Sequence, residues 1–291
     1  MARRAERAAR AALAAAGVLV ALGGLGGLGA GAGCRGASDA PDRPAPATIR
    51  VAVIGGMIET GLWAAVAERY ERLTGHQVEL VASGPKPLVV AAFRAGGIDL
   101  ITVHASDAMV NLVADGLARD PQPWARNDLV FVGPAADPAG VRGERDAAAA
   151  LRKIVAAKAP LLVHASLGAD GVLHDLCEDA KIALDPGATL LFSGDNQREV
   201  LQRAAAAGAY TLVGRIPVIS KKLAAPGMEL LVQGDPRLRR PYLVEVAVGA
   251  GAAARDLAAF LRGPEVQGLL ATYGTGKYDD RPLFFPVVVP R

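Results

Sequence analysis

The chain has 291 residues, enough for two modest lobes of about 100–150 residues each beyond a leader. Its formal charge of +3 arises in that leader: without Arg3, Arg4, Arg7, Arg10 and Glu6, 28 basic face 28 acidic side chains, and the electrostatic case for nucleic-acid binding falls away. Hydrophobic residues make up 52% but aromatics only 4%, so Ala, Val and Leu must fill the core, and two cysteines, Cys34 and Cys177, exclude a disulfide framework.

Residues 1–34 read as a lipoprotein-type signal peptide. An Arg-rich start is followed by an uncharged run of Ala, Gly, Leu and Val from Ala11 to Gly33, then small residues before Cys34. Gly31-Ala32-Gly33-Cys34 is similar to the site at which a Cys is lipidated and becomes the mature N-terminus, except that Gly31 stands where an aliphatic residue is usual. An uncleaved membrane anchor is the alternative, since the run approaches the length of a transmembrane helix. Either way the folded part is expected outside the cytoplasm, in the periplasm or at the cell surface, held to a membrane. Residues 35–47, rich in Pro, Ala, Asp and Gly, read as a flexible linker.

The first strand is Thr48–Ile54, turning at Gly55-Gly56. Apolar positions at helical spacing follow Glu59 and stop at Thr74-Gly75, a C-cap signal. Val78–Val81 reads as a strand broken by Ser83-Gly84-Pro85, Leu88–Ala95 as a helix, Ile98–Val103 as a strand ending at His104, Met109–Ala114 as a helix and Asn127–Val132 as a fourth strand. Beyond Asp137-Pro138-Ala139-Gly140 comes a helix over Asp146–Lys158, then Leu161–His174, an apolar strand delivering a Ser/Gly loop to a helix over Val172–Lys181. Helices over Gln197–Ala207 and Ser220–Ala224 alternate with strands at Ala209–Val213, Met228–Val232 and Tyr242–Val248. Ala252–Leu261 and Pro264–Tyr273 supply two last helices, and the Pro-bounded apolar tail reads as an edge segment.

This alternation implies an α/β protein with a mostly parallel sheet covered on both faces, in which ligands gather beyond the carboxyl ends of the strands. That geometry singles out Gly55, Gly56 and Met57, Ser83 and Lys86, and His104 in one lobe, and Ser166, Gly168 and Asp170 in the other. Free backbone N–H groups at a helix start suit an anion or polar ligand. Lys86, His104 and Arg215 could add positive charge. Each also has a plain reading: an ordinary turn, a helix-capping Asp170, an ion-paired Arg215, a hydrogen-bonded His104. Trp63 and Trp124 read as packing residues and Cys177 as a buried thiol. The four histidines show no His-x-x-x-His spacing, and no nucleophile loop or Gly-Lys-Ser/Thr phosphate loop is present, so neither a metal, a cofactor nor an enzyme is expected.

The order of several segments resembles one known family. They are Glu59-Thr60-Gly61-Leu62, Thr74-Gly75-His76-Gln77-Val78, Ile98–Ala105, Arg126–Pro134, Asp137-Pro138-Ala139-Gly140, Ala209-Tyr210-Thr211-Leu212 and Gly234–Tyr242. Together they resemble the tungstate-binding, more broadly oxyanion-binding, proteins of ABC importers, which are type II periplasmic binding proteins. The resemblance implies two α/β lobes, residues 48–133 with 239–291 and residues 134–238, joined by two hinge crossings near Gly133-Pro134 and Pro236–Tyr242 and closing over a ligand. An ABC permease is the implied partner.

The departures fall on the binding loops. Where the family has a run of Thr and Ser hydroxyls, this chain reads Val53-Ile54-Gly55-Gly56-Met57. In the second loop Ser166, Gly168, Asp170 and His174 match, but the anion-pairing Arg is Leu167 and a Thr is Leu173. Each missing charge-assisted or hydroxyl donor costs about 1–3 kcal/mol of anion binding. Two readings stand: an oxyanion-binding protein for ABC import with a rebuilt site, or a divergent sensor or interaction protein that has lost oxyanion binding.

Overall fold

The computed structural model describes residues 45–164, 168–193 and 196–287; Cys34, Ser166 and Leu167 lie outside them. In chain order the elements are β1 (Thr48–Ile54), α1 (Gly55–Thr60), α2 (Leu62–Thr74), β2 (Gln77–Gly84), α3 (Lys86–Arg94), β3 (Leu100–His104), α4 (Asp107–Ala114) and β4 (Ala118–Pro134). They continue as α5 (Ala147–Ala156), β5 (Leu161–His164), α6 (Ala169–Ala180), β6 (Thr189–Phe192), α7 (Gln197–Ala207), β7 (Tyr210–Gly214), α8 (Arg215–Ile219) and β8 (Met228–Val232). A 3₁₀ turn (Pro236–Leu238) leads into β9 (Arg239–Ala247), followed by α9 (Ala252–Arg262), α10 (Pro264–Thr272) and β10 (Phe285–Pro286). No described helix is long and apolar enough to cross a membrane.

The strands lie in the order β2-β1-β3-β9-β4-β7-β5-β6, with β8 and β10 also on β4. The pairs β1–β2, β1–β3, β5–β6 and β5–β7 are parallel, whereas β9 runs against β3 and β4, and β4 runs against β7 and β8. This corrects the expectation of a mostly parallel sheet. Each lobe keeps a parallel set built by strand–helix–strand units, but the chain must return between lobes, and the returning strands β4 and β9 insert antiparallel at the centre. β4 pairs with β9 as far as Asp128 and with β7 from Leu129 onward, so one continuous strand serves both lobes.

The buried apolar residues divide accordingly. One cluster joins β1, β3, α2, α3, α9 and α10 with Tyr242, Val244, Val246, Leu283 and Phe284. Two others cover opposite faces of the second lobe's sheet. Leu129 and Phe131 of β4 face α5 and α6, while Val130 and Val132, one residue out of step, face α7. That is the two-residue period of a strand buried on both sides. Trp63 and Trp124 meet edge to face at 6.5 Å inside the first core, as packing residues, and Trp124 Nε1 donates to Thr102 Oγ1 at 2.7 Å.

Four local readings need correction. Gly55-Gly56 is the first turn of α1 rather than a free turn, and a Cβ on Gly55 would lie 3.4 Å from the Gly84 backbone. β4 begins at Ala118 rather than Asn127, because register irregularities at Arg119/Gln122 and Pro123/Ala125 accommodate Pro121 and Pro123, which read as breakers. The helix expected at Ser220–Ala224 lies earlier, at Arg215–Ile219, and Lys221 at φ 58° turns the chain away. β6 gave no strand signal, since its Leu190 and Leu191 sit exposed on an edge beside the Asp185-Pro186-Gly187 turn. The tail does pack as an edge segment: Phe285 and Pro286 pair with Arg126 and Ala125 of β4.

Candidate functional site

The parallel strands of both lobes deliver their carboxyl ends to one region. In the first lobe β1 ends at Ile54, just before Gly55, β2 at Ser83-Gly84, and β3 at His104. Ser83 is exposed and Lys86 half-buried in the first turn of α3. Met57 is fully buried in the apolar core, which leaves only the backbone of Gly55–Met57 to face a ligand. In the second lobe β5 ends at His164. Beyond it the exposed Gly168, in the left-handed region at φ 65°, precedes α6, and exposed Asp170 lies in the first turn. Ser166 is outside the described residues.

Electrostatics tie these pieces together across the lobes. Lys86 is held below its ordinary value by burial and then by the Arg240 charge, against the pull of Asp107 and Asp170. Burial, Arg240 and Lys86 together push the His104 imidazole well below its usual range, opposed by the neighbouring Asn127 side chain, and it is neutral at pH 7. His164 is likewise lowered by burial, with Asp170 pulling up and Arg240 pushing down, and its Nε2–H donates to Leu212 O at 2.6 Å. Lys86, His104 and Arg240 of the first lobe thus share an electrostatic field with His164 and Asp170 of the second.

Arg240 is the group that sequence reasoning passed over. It is 5% exposed at the start of β9, opposite Asn127 of β4. Its Nη2 donates to His104 Nε2 at 3.3 Å and to Asn127 Oδ1 at 3.4 Å. Burial draws the guanidinium down to about 10, still charged at neutral pH. Tyr242, two residues on, lies over the His104 ring at 4.1 Å. The signal was available: Arg239-Arg240-Pro241-Tyr242 falls in the segment read as a crossing, and a crossing lines the cleft.

Arg215, by contrast, is taken up elsewhere. It is 1% exposed, and its guanidinium donates to both carboxylate oxygens of Asp279 (2.6 and 2.7 Å), to Pro282 O (2.9 Å) and to Gln233 Oε1 (3.1 Å). It fastens α8 of the second lobe to the C-terminal segment. A neighbouring cluster does the same at the lobe junction: Asp128, 1% exposed, meets Arg281 at 3.1 Å and Arg239 at 3.5 Å, and Arg239 lies 3.8 Å over the Phe285 ring. Burial still pushes the Asp128 carboxyl up against the charges of Arg281, Arg239 and Arg215. Leu173, which stands where the resemblance implies a Thr, is 4% exposed and packs in the second lobe's core. Cys177 is half-buried and free, its thiol pushed up by burial.

Among the described residues no cluster of His, Cys, Asp and Glu is arranged to hold a metal ion. The side chains gathered at the cleft are the cations Lys86 and Arg240 around a neutral imidazole, with the Asp170 carboxylate opposite them. Such a set can hold an anion or a strongly polar solute.

Residues 49–275 match the family described as bacterial extracellular solute-binding protein. The tungstate-binding protein TupA of Peptoclostridium acidaminophilum is 28% identical over 255 residues, spanning 83% of this chain and 86% of that one. A protein of Haloferax volcanii assigned as an ABC transporter anion-binding protein is 28% identical over 249 residues, 82% of this chain and 71% of its own. The solved tungstate-binding protein TupA from Desulfovibrio alaskensis superposes with a TM-score of 0.63 at 25% identity, covering 84% of this chain and all of that one. The tungstate ABC transporter protein from Geobacter sulfurreducens gives a TM-score of 0.60 at 24% identity, over 78% of this chain and 98% of that one.

Proposed function

Because the chain belongs to the bacterial extracellular solute-binding proteins, we propose that it captures a small oxyanion, of the tungstate or molybdate kind, between its lobes and delivers it to an ABC permease. The observation that supports this most directly is the convergence of Lys86, His104 and Arg240 at the carboxyl ends of the first lobe's strands, within the field of His164 and Asp170 across the cleft. Two cations beside one cleft repel each other, and an anion between them relieves that repulsion while closure excludes water. No bond need break; the free energy of capture is the difference between hydrating the anion and holding it with fixed donors.

The lobes divide within β4 and at the start of β9. Both links are continuous strands, so opening is a bend of paired strands rather than the swing of a loose linker. Gly55, Gly56 and the Met57 backbone, Ser83, Gly168 and Asp170, with Ser166 from the second loop, complete the proposed lining. The mature protein is tethered outside the cytoplasm through a lipid on Cys34; Cys34→Ser would release it from the membrane fraction.

The test of ligand capture is calorimetry with thermal-shift measurement against tungstate, molybdate, sulfate and phosphate. Saturable one-to-one binding with a rise in Tm is expected. Absence of heat and of any shift with all four would overturn the reading. Leu167 and the core-packed Leu173 favour one second reading, a sensor or interaction protein on the same fold that binds no oxyanion. It predicts that null result.

A further inference from the structure

The two arginines that begin β9 face opposite sides of the strand and meet different company. Arg239 is balanced by the Asp128 carboxylate and the Phe285 ring. Arg240 turns instead to the cleft-end residues His104 and Asn127. A guanidinium only donates hydrogen bonds, so His104 Nε2 must accept, and the imidazole proton is placed on Nδ1. Nδ1 is buried and meets no hydrogen-bond partner among the described residues, in a side chain 8% exposed and stacked under Tyr242. A buried N–H of this kind costs free energy while nothing accepts from it. Lys86 adds a second positive charge whose field acts on both residues.

We propose that Arg240, with His104 as the neutral donor whose tautomer it fixes, is the specificity-determining anion anchor of this cleft, replacing the arginine that is Leu167 in the second lobe's loop. The inference rests on the solute-binding reading above and adds where the grip resides. The anchoring charge has moved from the second lobe to β9, one of the two strands that join the lobes. The anion is therefore held first against the joining strands, and the second lobe closes over it with Gly168 and Asp170. From the first lobe the anion meets donors (guanidinium, ammonium and Nδ1–H), and the Asp170 carboxylate is the acceptor that the second lobe brings to it.

The experiment is calorimetric titration of the full mature protein with tungstate and with sulfate, comparing wild type, Arg240→Gln, Arg240→Lys, His104→Asn and His104→Gln, each first shown to be folded by its melting curve. Arg240→Gln is expected to weaken binding about 100-fold and Arg240→Lys only about tenfold, because a point charge partly replaces the guanidinium. His104→Asn, which keeps an N–H near the δ position, is expected to bind more tightly than His104→Gln by about tenfold. In wild type labelled with ¹⁵N at histidine, tungstate is expected to shift the Nδ1–H signal of His104 while leaving its Nε2 unprotonated. This measurement keeps the inference open to refutation even if Arg240→Gln does not fold. Wild-type binding with Arg240→Gln within threefold of it, or a His104 signal indifferent to bound tungstate, overturns the anchor and leaves the solute-binding reading standing. A wild type that binds neither anion overturns both.

Discussion

Glu245 offers a quantitative check on the first lobe. It lies in β9 opposite Ile101 of β3, is 0% exposed, and neither carboxylate oxygen has a hydrogen-bond partner among the described residues. Burial raises its pKa from 4.5 to about 7. Between those values the folded chain holds a proton that the unfolded chain has released, so stability falls as pH rises from about 4.5 and the loss is complete above about 7. That rise corresponds to at most about 3 kcal/mol of stability lost between pH 4.5 and pH 8. Glu245→Gln removes the charge without changing the shape. It should be near neutral at pH 5, and more stable than wild type by about 2–3 kcal/mol at pH 8. Urea unfolding of both proteins from pH 5 to pH 8.5, followed by fluorescence of the buried Trp63 and Trp124, gives the difference directly. Comparing the two proteins cancels other titrating groups, including His104, whose lowered pKa acts in the opposite sense. A stability difference that does not change with pH, or a Gln variant less stable at pH 8, would refute the argument.

Arg215→Met should destabilise by about 3–5 kcal/mol, since it strips a buried guanidinium from Asp279 and leaves Pro282 O without its donor; chemical denaturation reads this, and a change below about 1 kcal/mol would show that the C-terminal segment is not held by this residue. Gly133→Ala should cost about 1–3 kcal/mol or prevent folding, because its Cβ would sit 2.5 Å from the Tyr210 ring and 2.9 Å from Leu231; a variant with unchanged Tm would contradict that packing. Lys86→Met should weaken tungstate binding and flatten its dependence on salt, because a screened charge is lost while the buried Arg240 remains; calorimetry at low and high salt checks both, and an unaltered salt slope would remove Lys86 from the site.

Much of the architecture was legible in the amino-acid order alone. Apolar strands such as Thr48–Ile54 and Leu161–His164, the αL glycine after Thr74, and the helix over Gln197–Ala207 follow from local periodicity and cap chemistry, which act over a few residues. Local chemistry also placed Gly55, Ser83, His104 and Gly168 at strand ends, where a parallel sheet exposes its ligand edge. What it could not supply was pairing across the chain. Pro121 and Pro123 fall outside the strand read at Asn127–Val132 until β9 tolerates them through irregular register, and Arg215 looks available until Asp279, 64 residues away, meets it. Arg240 shows the same limit in the cleft. Its role depends on His104 and Asn127, 136 and 113 residues earlier, which only the antiparallel insertion of β9 beside β3 and β4 brings within hydrogen-bond reach. A charge's partner is set by distance in space, and tertiary pairing alone fixes that distance.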